Sequence, residues 1–377
     1  MIRVVEVISD TNIGGAGILL LNRLSCYNRS ALEEYVIIPR GSMLKTRLRR
    51  IGVKVFEING CFDRSFDARA ILEIASILKK LKPHILNAHG CLSARIAALV
   101  SKVPIKICTR HCVYPTPKIY RSVAVRAFTK HLNLLLSDKI IAVAESARQN
   151  LVEMGIPNTH IEVIINGASP LQRLSATDQQ TLRDTLGISQ GATVVSICAR
   201  LEECKDHVTF LRAAAILLKN HPQYRFLIIG DGSRRLYLEN YAQRLGIADR
   251  VIFTGFVENT SHFMSITDVN VNCSIGTETS SLAISEGMSL GIPCVASDYG
   301  GNPYMVSNGV NGYIFKQRNS SELAQKILAL KNEAIYSSAS ENALLRFKQE
   351  LNARTMTEKT EALYFSLIKN IRRAKNS

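Results

Sequence analysis

Apolar residues along this chain fall into short runs separated by longer stretches with helical periodicity. The first run, residues 2–8, leads into a glycine-bearing turn and then into a helical pattern. Short apolar runs are typical of parallel strands whose two faces are both covered by helices, and strands that alternate with helices predict a parallel α/β sheet. In the first half, further strands are predicted at 35–39, 53–58, 85–88, 104–109 and 140–144, and helices at 43–50, 68–81 and 117–137.

The alternation resumes after a polar stretch, 169–190, which contains one short helical pattern and whose composition favours a linker between two domains. A length of 377 residues fits two domains of ordinary size, predicted here at 1–168 and 191–352. In the second half, strands are predicted at 193–197, 225–230, 251–256, 268–273 and 294–297, and helices at 282–290, 321–331, 338–350 and 353–375.

The stretch from Glu278 to Gly301 brings two carboxylates, a helix start and a double glycine into one segment. Ser280 and Ser281 are good N-cap residues for the helix that contains Glu286. A strand follows, and ligands of open α/β sheets bind at the carboxyl ends of the strands. Free amides at a helix start suit a phosphate or a sugar hydroxyl. Either glutamate alone is equally compatible with a solvated helix charge.

Two cations, Arg200 and Lys205, lie in the loop after the predicted strand 193–197. The planar fork of arginine and the point charge of lysine suit a pyrophosphate, although either residue alone fits an ordinary surface charge. The turn with Gly14 and Gly15 has the geometry of a phosphate or sugar cradle, but it matches neither the dinucleotide fingerprint nor a Walker A loop. His89 and His111 end two other strands, where a packed core histidine is the ordinary alternative.

The segment from Glu278 to Gly301 resembles the E-x7-E signature of the family 4 retaining glycosyltransferases, and the resemblance extends over most of the chain. It is densest at 193–301, where R-L-x-x-x-K-D-H resembles the family's pyrophosphate clamp. The resemblance implies an α/β GT-B fold, with two Rossmann-like domains facing across an interdomain cleft. It also implies an acceptor-side domain at 1–168, a donor-binding domain at 191–352, and a C-terminal helix at 353–377 that crosses back to the first domain.

The resemblance further implies a hexosyltransferase-type reaction in which a sugar passes from a nucleotide-diphosphate sugar to a hydroxyl of a glycan or lipid-linked acceptor, with retained configuration. A UDP-sugar is favoured, and surface polysaccharide or glycolipid biosynthesis is the expected context. The candidate catalytic residues are His111, Arg200, Lys205 and Glu278. The candidate donor-binding residues are Gly14, Gly15, Arg200, Lys205, Gly230, Phe256, Glu278, Thr279, Ser280, Ser281, Leu282 and Glu286.

No cofactor and no metal are expected, because cations and helix amides can stabilise a departing diphosphate and no Asp-x-Asp motif is present. One departure from the family concerns Tyr304. Relatives often carry a glutamate soon after the double glycine, and a phenol cannot supply that carboxylate.

Positive charge is concentrated in the first half of the chain. Residues 1–168 hold 24 Lys and Arg against 12 Asp and Glu, and no acidic residue occurs between Glu73 and Asp138. Such asymmetry favours an anionic partner, and the basic amphipathic segment 117–137 is typical of a helix at a membrane surface, or equally of a core helix with a solvated basic face. The chain starts in a strand pattern without signal-peptide features, so we expect a cytoplasmic protein with peripheral contact at the inner face of the cell membrane.

Three alternatives share parts of this pattern. A sugar-nucleotide 2-epimerase has the same architecture but would isomerise the donor without an acceptor. A nucleic-acid-binding protein would explain the net charge of +16, but no recognition motif is present, so nucleic acid is not an expected partner. A catalytically inactive scaffold is disfavoured because Arg200, Lys205, Glu278 and Glu286 are all present.

Overall fold

The chain folds into two compact units in a computed structural model that describes residues 1–113 and 116–376. The first unit contains Met1–Gly167 together with the helix that begins at Ala353, and the second unit is Ala168–Asn352. Ser377, the last residue of the predicted C-terminal helix, lies outside the described residues.

The strands, numbered in chain order, are β1 Ile2–Ile8, β2 Leu32–Pro39, β3 Lys54–Ile58, β4 Ile85–His89, β5 Ile105–Arg110, β6 Lys139–Ala142, β7 Ile161–Val163, β8 Thr193–Cys198, β9 Tyr224–Ile229, β10 Val251–Gly255, β11 Val269–Asn272, β12 Cys294–Ser297 and β13 Gly312–Phe315. The α-helices are α1 Gly15–Cys26, α2 Leu44–Arg50, α3 Ala68–Leu81, α4 Leu92–Val100, α5 Val123–Leu136, α6 Glu145–Glu153, α7 Ala176–Thr185, α8 His207–Leu218, α9 Arg235–Arg244, α10 Ser261–Ser265, α11 Leu282–Ser289, α12 Asn302–Met305, α13 Ser320–Ala329, α14 Glu333–Arg346 and α15 Ala353–Asn376.

The first unit is built on a parallel sheet of seven strands in the order β3-β2-β1-β4-β5-β6-β7. Its central strand β1 buries Val4, Val5, Val7 and Ile8 because helices cover both faces. Helices α3 and α4 pack on one face, and α1 and α2 pack on the other. The strand order reverses between β1 and β4, which is where a sheet of this kind opens a crevice for a ligand.

Helix α15 belongs to the first unit because its buried face packs on α1. The Thr357 hydroxyl donates a hydrogen bond to the Arg23 carbonyl at 3.3 Å, and a Glu361 carboxylate oxygen accepts one from the Asn28 amide at 2.7 Å. These contacts join segments more than 300 positions apart in sequence. The polypeptide therefore leaves the first unit at Gly167 and returns to it at Ala353.

The second unit repeats the architecture with a parallel sheet of six strands, in the order β10-β9-β8-β11-β12-β13. Phe210 of α8 packs edge-on against Phe226 of β9 in its main core. The order reverses between β8 and β11, so the loops after these two strands meet at one edge. The two parallel sheets confirm the prediction of two Rossmann-like α/β domains.

The segment 169–190 differs from its sequence interpretation as a linker. Its residues 176–185 form α7, and Leu182 and Leu186 pack against a core cluster that contains Ile188 and Leu227. Its polar stretch before the helix is also attached, since the Leu171 amide donates to the Ser289 hydroxyl at 2.9 Å. The segment is a packed part of the second unit.

The predicted helix 117–137 is a short 3-10 turn, Lys118–Arg121, followed by α5. Leu136 is the buried residue of α5, whereas Val123 and Phe128 are 71% and 68% exposed. Of the helices in the described part of the chain, none combines the length and the apolar content that a membrane span requires.

Candidate functional site

The loops after β8 and β11 carry most of the predicted site residues. Arg200 and Lys205 follow β8, and Glu278 follows β11. Asp206 has a left-handed backbone (φ 46°) and caps α8 by accepting a hydrogen bond from the Thr209 amide at 3.3 Å. This cap fixes the direction of the backbone immediately after Lys205, so the Lys205 side chain projects from the loop in a defined direction.

Lys205 and Glu278 form an ion pair in which Lys205 Nζ lies 2.7 Å from Glu278 Oε2. The same oxygen accepts hydrogen bonds from the Ser274 hydroxyl at 2.8 Å and from Asn272 Nδ2 at 3.3 Å. Glu278 is buried and Lys205 is half-buried. Three donors on one oxygen hold the carboxylate in a fixed orientation, which is the arrangement that charge-assisted hydrogen bonds favour.

The double glycine supports the backbone of this glutamate. A Cβ on Gly300 would lie 2.0 Å from the Glu278 carbonyl oxygen, and a Cβ on Gly301 would lie 1.5 Å from the Thr279 carbonyl oxygen. Gly300 also has a φ of +61°, a value that favours glycine. Packing of the protein on itself is therefore sufficient to require both glycines.

Gly230 has a similar supporting role for the loop that carries Arg200. A Cβ on Gly230 would lie 2.2 Å from the Ala199 carbonyl oxygen, and its φ of +134° is accessible mainly to glycine. The Leu201 amide then donates to the Asp231 carbonyl at 3.0 Å. Between these anchored neighbours, the Arg200 side chain is exposed.

Glu286 lies on α11 and is half-buried. Its Oε2 accepts a hydrogen bond from the Thr260 hydroxyl at 3.1 Å. Burial raises the pKa of Glu286 above its ordinary value, and the Thr260 hydrogen bond opposes that rise. Phe256, which follows the end of β10, is 79% exposed.

The start of α11 leaves its own backbone amides without a serine cap. Ser281 occupies the N-cap position, but its hydroxyl accepts a hydrogen bond from Asn272 Nδ2 at 3.1 Å and makes no side-chain cap. The Ser280 hydroxyl lies 3.9 Å from Met305 Sδ. Thr279 is buried and Leu282 is half-buried. The sequence therefore placed the start of this helix correctly at Ser281, although the Ser281 hydroxyl binds Asn272 instead of a backbone amide of the helix.

Tyr304, which stands where relatives often have a glutamate, is bound within the second unit. Its hydroxyl donates to a Glu350 carboxylate oxygen at 2.6 Å, and its carbonyl accepts from Arg346 Nη2 at 2.7 Å. The Arg346 guanidinium also lies over the tyrosine ring, 4.8 Å from its centre. These contacts give the phenol a structural partner.

The remaining predicted site residues, Gly14, Gly15 and His111, belong to the first unit. A Cβ on Gly14 would be 3.8 Å from its nearest neighbour, an Asp10 carboxylate oxygen, and a Cβ on Gly15 would have no atom of the described residues within 4 Å. Packing of the protein on itself therefore does not require these two glycines. His111 Nε2 lies 2.8 Å from His89 Nδ1, so both histidines that the sequence indicated are in contact.

Sequence reasoning missed the residues that hold the predicted ones in place. Asn272 and Ser274 orient Glu278, Thr260 binds Glu286, and Glu6 binds His89 at 2.7 Å. The available signal was a polar residue between apolar neighbours, as Glu6 is between Val5 and Val7 and Asn272 is between Val271 and Cys273. Within the described residues, no group of three or more His, Cys, Asp or Glu side chains is placed to hold a metal ion.

Comparisons with known proteins identify the family of the chain. Residues 13–170 match the model of Glycosyltransferase Family 4, and residues 178–346 match that of Glycosyl transferases group 1. Among curated relatives, an Escherichia coli UDP-Gal:alpha-D-GlcNAc-diphosphoundecaprenol alpha-1,3-galactosyltransferase is 24% identical over 81% of each chain. N-acetyl-alpha-D-glucosaminyl L-malate synthase of Bacillus anthracis is 23% identical over 82% of each chain.

A solved structure also resembles the chain over nearly its whole length. The crystal structure of HepE from Anabaena in complex with UDP and glucose has a TM-score of 0.82, with 21% identity over 97% of this chain and 100% of that one. At this level of identity the likeness establishes the fold. With the two matched family models, it shows that the chain belongs to the group 1, family 4 type of glycosyltransferases and has the GT-B fold.

Proposed function

We propose that this glycosyltransferase transfers a sugar from a nucleotide-diphosphate sugar, preferably a UDP-sugar, to a hydroxyl of a glycan or lipid-linked acceptor. The bond between the anomeric carbon and the diphosphate oxygen breaks, and the acceptor oxygen bonds to the same face of that carbon. The acceptor hydroxyl proton passes to the departing diphosphate. The configuration is retained and no metal ion takes part.

The observation that carries this proposal is the ion pair between Lys205 and Glu278. A diphosphate gains negative charge as it departs, and a cation that is already fixed stabilises that charge without reorganising. Lys205 is held in this way, and the exposed Arg200 supplies a planar fork for a second phosphate oxygen. Removal of one such stabilising group commonly lowers kcat by about 10²–10³.

The other second-unit residues suit the rest of the donor. Glu278 is oriented by its three donors and accepts hydroxyls of the sugar, while the amides at Thr279–Leu282 receive phosphate or sugar oxygens. Glu286 accepts the ribose hydroxyls, and Phe256 with Gly230 borders the base. In the first unit, Gly14 and Gly15 leave room for the diphosphate, and His111 binds a sugar hydroxyl near the reacting carbon.

The relatives favour the substrates named here. The Escherichia coli relative is named for a UDP-sugar donor and a diphosphoundecaprenol acceptor, and the Anabaena structure contains UDP and glucose. A UDP-sugar and an acceptor carried on a lipid are therefore the first substrates to test. Surface polysaccharide or glycolipid synthesis is the corresponding biological role.

Contact with an anionic membrane surface is a further part of the proposal. Helix α5 exposes Val123 and Phe128 beside Arg126 and Lys130. A surface that presents apolar and basic side chains together fits the interface of a bilayer with anionic headgroups. The protein would bind its acceptor lipid at that surface, at the inner face of the cell membrane.

The test combines ligand-induced stabilisation with transfer. The protein is screened by thermal shift against UDP-, GDP-, ADP- and CMP-sugars, beside the variants Lys205→Ala and Glu286→Ala. The matched control is Lys219→Ala, an exposed lysine at the end of α8. We expect stabilisation by one nucleotide class, at about 2.7 kcal/mol for ligand at a hundred times its dissociation constant. The shift is lost in both site variants and kept in the control.

Chemical analysis of the same reactions separates the alternatives. Transfer to an added glycan or lipid-linked acceptor, with the donor's anomeric configuration kept in the product, supports the proposal. Isomerisation of the donor sugar without any acceptor would identify a 2-epimerase instead. Stabilisation by DNA or RNA but by no sugar nucleotide would contradict the transferase mechanism as a whole.

A further inference from the structure

Two buried cysteines of the first unit contact each other outside the candidate site. Cys61 Sγ lies 3.7 Å from Cys91 Sγ, and the two residues are 1% and 0% exposed. They are 30 positions apart in sequence, since Cys61 lies in the loop after β3 and Cys91 is the N-cap residue of α4. The sulfur atoms of a disulfide lie about 2.05 Å apart, so these two need to approach by less than about 2 Å to form one.

Hydrogen bonds hold the two segments that carry these cysteines against each other. The Cys61 amide donates to Asp67 Oδ2 at 3.0 Å, and the Asp67 amide donates to the Ser93 hydroxyl at 2.7 Å. The Ser65 hydroxyl donates to the Gly90 carbonyl, also at 2.7 Å. Residues on both sides of the second cysteine are thus bound to the loop of the first, so the two sulfur atoms can bond without a change of fold.

The backbone of Cys61 is strained, and the chain beside it is open to solvent. Its φ of +62° lies in the left-handed region that favours glycine, and a strained residue of another type is typical of functional positions. The residues that follow it, 62–66, are exposed. Opening of this short surface loop is therefore enough to bring a small oxidant to the Cys61 sulfur.

The two thiols differ in their readiness to ionise. The hydrogen bond from the Cys91 thiol lowers the pKa of Cys61 below its ordinary value, although burial opposes this effect. The same contact and burial raise the pKa of Cys91. Because the thiolate is the form that reacts with oxidants, Cys61 is the sulfur that is oxidised first.

We propose that Cys61 and Cys91 are a redox-sensitive pair, in which a peroxide oxidises Cys61 and a disulfide to Cys91 then forms. The O–O bond of the peroxide breaks as Cys61 Sγ takes one oxygen and becomes a sulfenic acid, and the other oxygen leaves as water. Cys91 Sγ attacks Cys61 Sγ, the S–O bond breaks, and a second water leaves. The two thiols lose two hydrogens and two electrons to the peroxide, and a small dithiol reverses the reaction.

The loop of Cys61 also holds the turn between β1 and α1. The Asp63 amide donates to the Ser9 carbonyl at 3.0 Å, and Asp63 Oδ1 accepts from the Thr11 amide at 2.8 Å. A cross-link at Cys61 limits the opening of this loop and hence of the turn that it holds. The turn leads to Gly14, so any effect of oxidation on sugar transfer rests on the proposed function, whereas the disulfide itself does not.

The experiment is peroxide oxidation of the full chain with Cys26→Ser, which removes the exposed thiol. The treated protein is alkylated under denaturing conditions and digested, and its peptides are identified by mass spectrometry. We expect a peptide linked through Cys61 and Cys91, two fewer titratable thiols, and recovery of both with dithiothreitol. Cys273 and Cys294 are the internal controls, because they are equally buried and should remain reduced.

Two variants in the Cys26→Ser chain separate the roles of the pair. Cys91→Ser should leave the oxidised Cys61 as a sulfenic acid, which a 1,3-dione reagent traps. Cys61→Ser should leave Cys91 reduced at the same peroxide concentration. Hydrogen exchange measures the effect on the turn: amides of 9–15 and 59–67 should exchange about threefold or more slowly after oxidation of the parent chain, but not of either variant.

The outcomes separate this inference from the proposed function. Absence of the linked peptide, at a peroxide concentration that oxidises Cys26 in the unsubstituted chain, overturns the redox pair. Equal oxidation of Cys273 and Cys294 overturns it as well. A linked peptide with unchanged exchange at 9–15 overturns the connection to the turn. If the disulfide forms as predicted while neither form of the protein transfers sugar, the redox pair stands and the proposed function fails.

Discussion

At the scale of single residues, the position of Glu278 depends on its neighbours as much as on the glutamate. Gly301 lies so close to the preceding loop that its α-hydrogen occupies the space of a side chain: a Cβ there would be 1.5 Å from the Thr279 carbonyl oxygen. The loop would have to move before any larger residue could fit. A substitution at Gly301 therefore tests whether stability and ligand binding depend on the position of the backbone at 278–279.

We expect Gly301→Ala to lower the free energy of unfolding by about 1–3 kcal/mol and to weaken nucleotide-sugar binding, because the displaced loop carries Glu278. Urea denaturation and calorimetric titration measure the two effects. Gly191→Ala is the matched control in the same unit. A Cβ at Gly191 would have no atom within 4 Å, and the backbone φ of Gly191 is not positive. Equal stability for the two variants would contradict the close approach.

The buried Glu34 predicts a pH dependence of stability in the first unit. Burial raises the pKa of Glu34 from 4.5 to about 7, although Arg23 partly offsets that rise. The folded state therefore binds this proton more tightly than the unfolded state. Its contribution to stability is fully present below pH 4.5 and is lost as the pH rises through about 7.

Glu34→Gln removes this ionisation, so the free energy of unfolding of the variant should fall less than that of wild type as the pH rises from about 5 to 8. Urea denaturation at several pH values gives the difference. Glu162→Gln, an exposed position in β7, should leave the wild-type slope unchanged. A wild-type slope in Glu34→Gln would show that Glu34 is already ionised at low pH.

At the scale of elements, hydrophobic periodicity predicted most strands and helices, because their pattern is local. The strand at Cys294–Ser297 and the helix at Ala68–Leu81 have the predicted bounds. The strand Gly312–Phe315 and the helix Asn302–Met305 were missed, since four residues are too few to show a period. The longer helices α4, α6, α8 and α9 were not predicted either. The segment 169–190 was misinterpreted because the contacts that hold it, such as Leu171 to Ser289, are 118 positions apart.

The sequence predicted which residues belong to the candidate site but not which of them contact each other. Lys205 and Glu278 stand out in the sequence as charges in loops, yet their contact spans 73 positions and depends on β8 and β11 being neighbours. Glu6 was not predicted as a site residue, because a single carboxylate in a strand does not indicate which residue it binds. The sheet order supplies that partner, since β1 and β4 pair with Ile8 opposite His89.

Helix α5 gives a prediction about membranes at the same scale. Vesicles of phosphatidylglycerol with phosphatidylcholine should bind the protein at low salt, and pure phosphatidylcholine should not, because the helix is basic. Val123→Ser with Phe128→Ser should weaken binding about tenfold through lost apolar burial. Leu72→Ser, a substitution of an equally exposed leucine on α3, is the control. Binding is measured by co-sedimentation with the vesicles. Equal binding to charged and uncharged vesicles, or weaker binding by Leu72→Ser alone, would show that α5 is not the membrane contact.

At the scale of the whole molecule, two units with the same strand order carry different kinds of buried charge. Each order reverses beside the first strand of its sheet, and polar groups gather near that reversal in both units. In the second unit a lysine and a glutamate are paired beside loops, where a ligand's charge can be met. In the first unit the Glu6 carboxylate is buried inside the sheet, where it contacts Arg23 and His89. This difference predicts that a bound nucleotide slows amide hydrogen exchange more in the second unit than in the first.

Hydrogen exchange measured peptide by peptide tests that inequality. With UDP at a hundred times its dissociation constant, amides in 199–206 and 272–288 should exchange up to about 100-fold more slowly where exchange requires opening that releases the nucleotide. The central strand of the first unit, Ile2–Ile8, should exchange at its unliganded rate. Lys205→Ala at the same UDP concentration should lose the protection, and Lys219→Ala should keep it. Equal protection of both sheets would mean that the nucleotide is held by the two units alike, because a ligand slows exchange only in the parts that must open to release it.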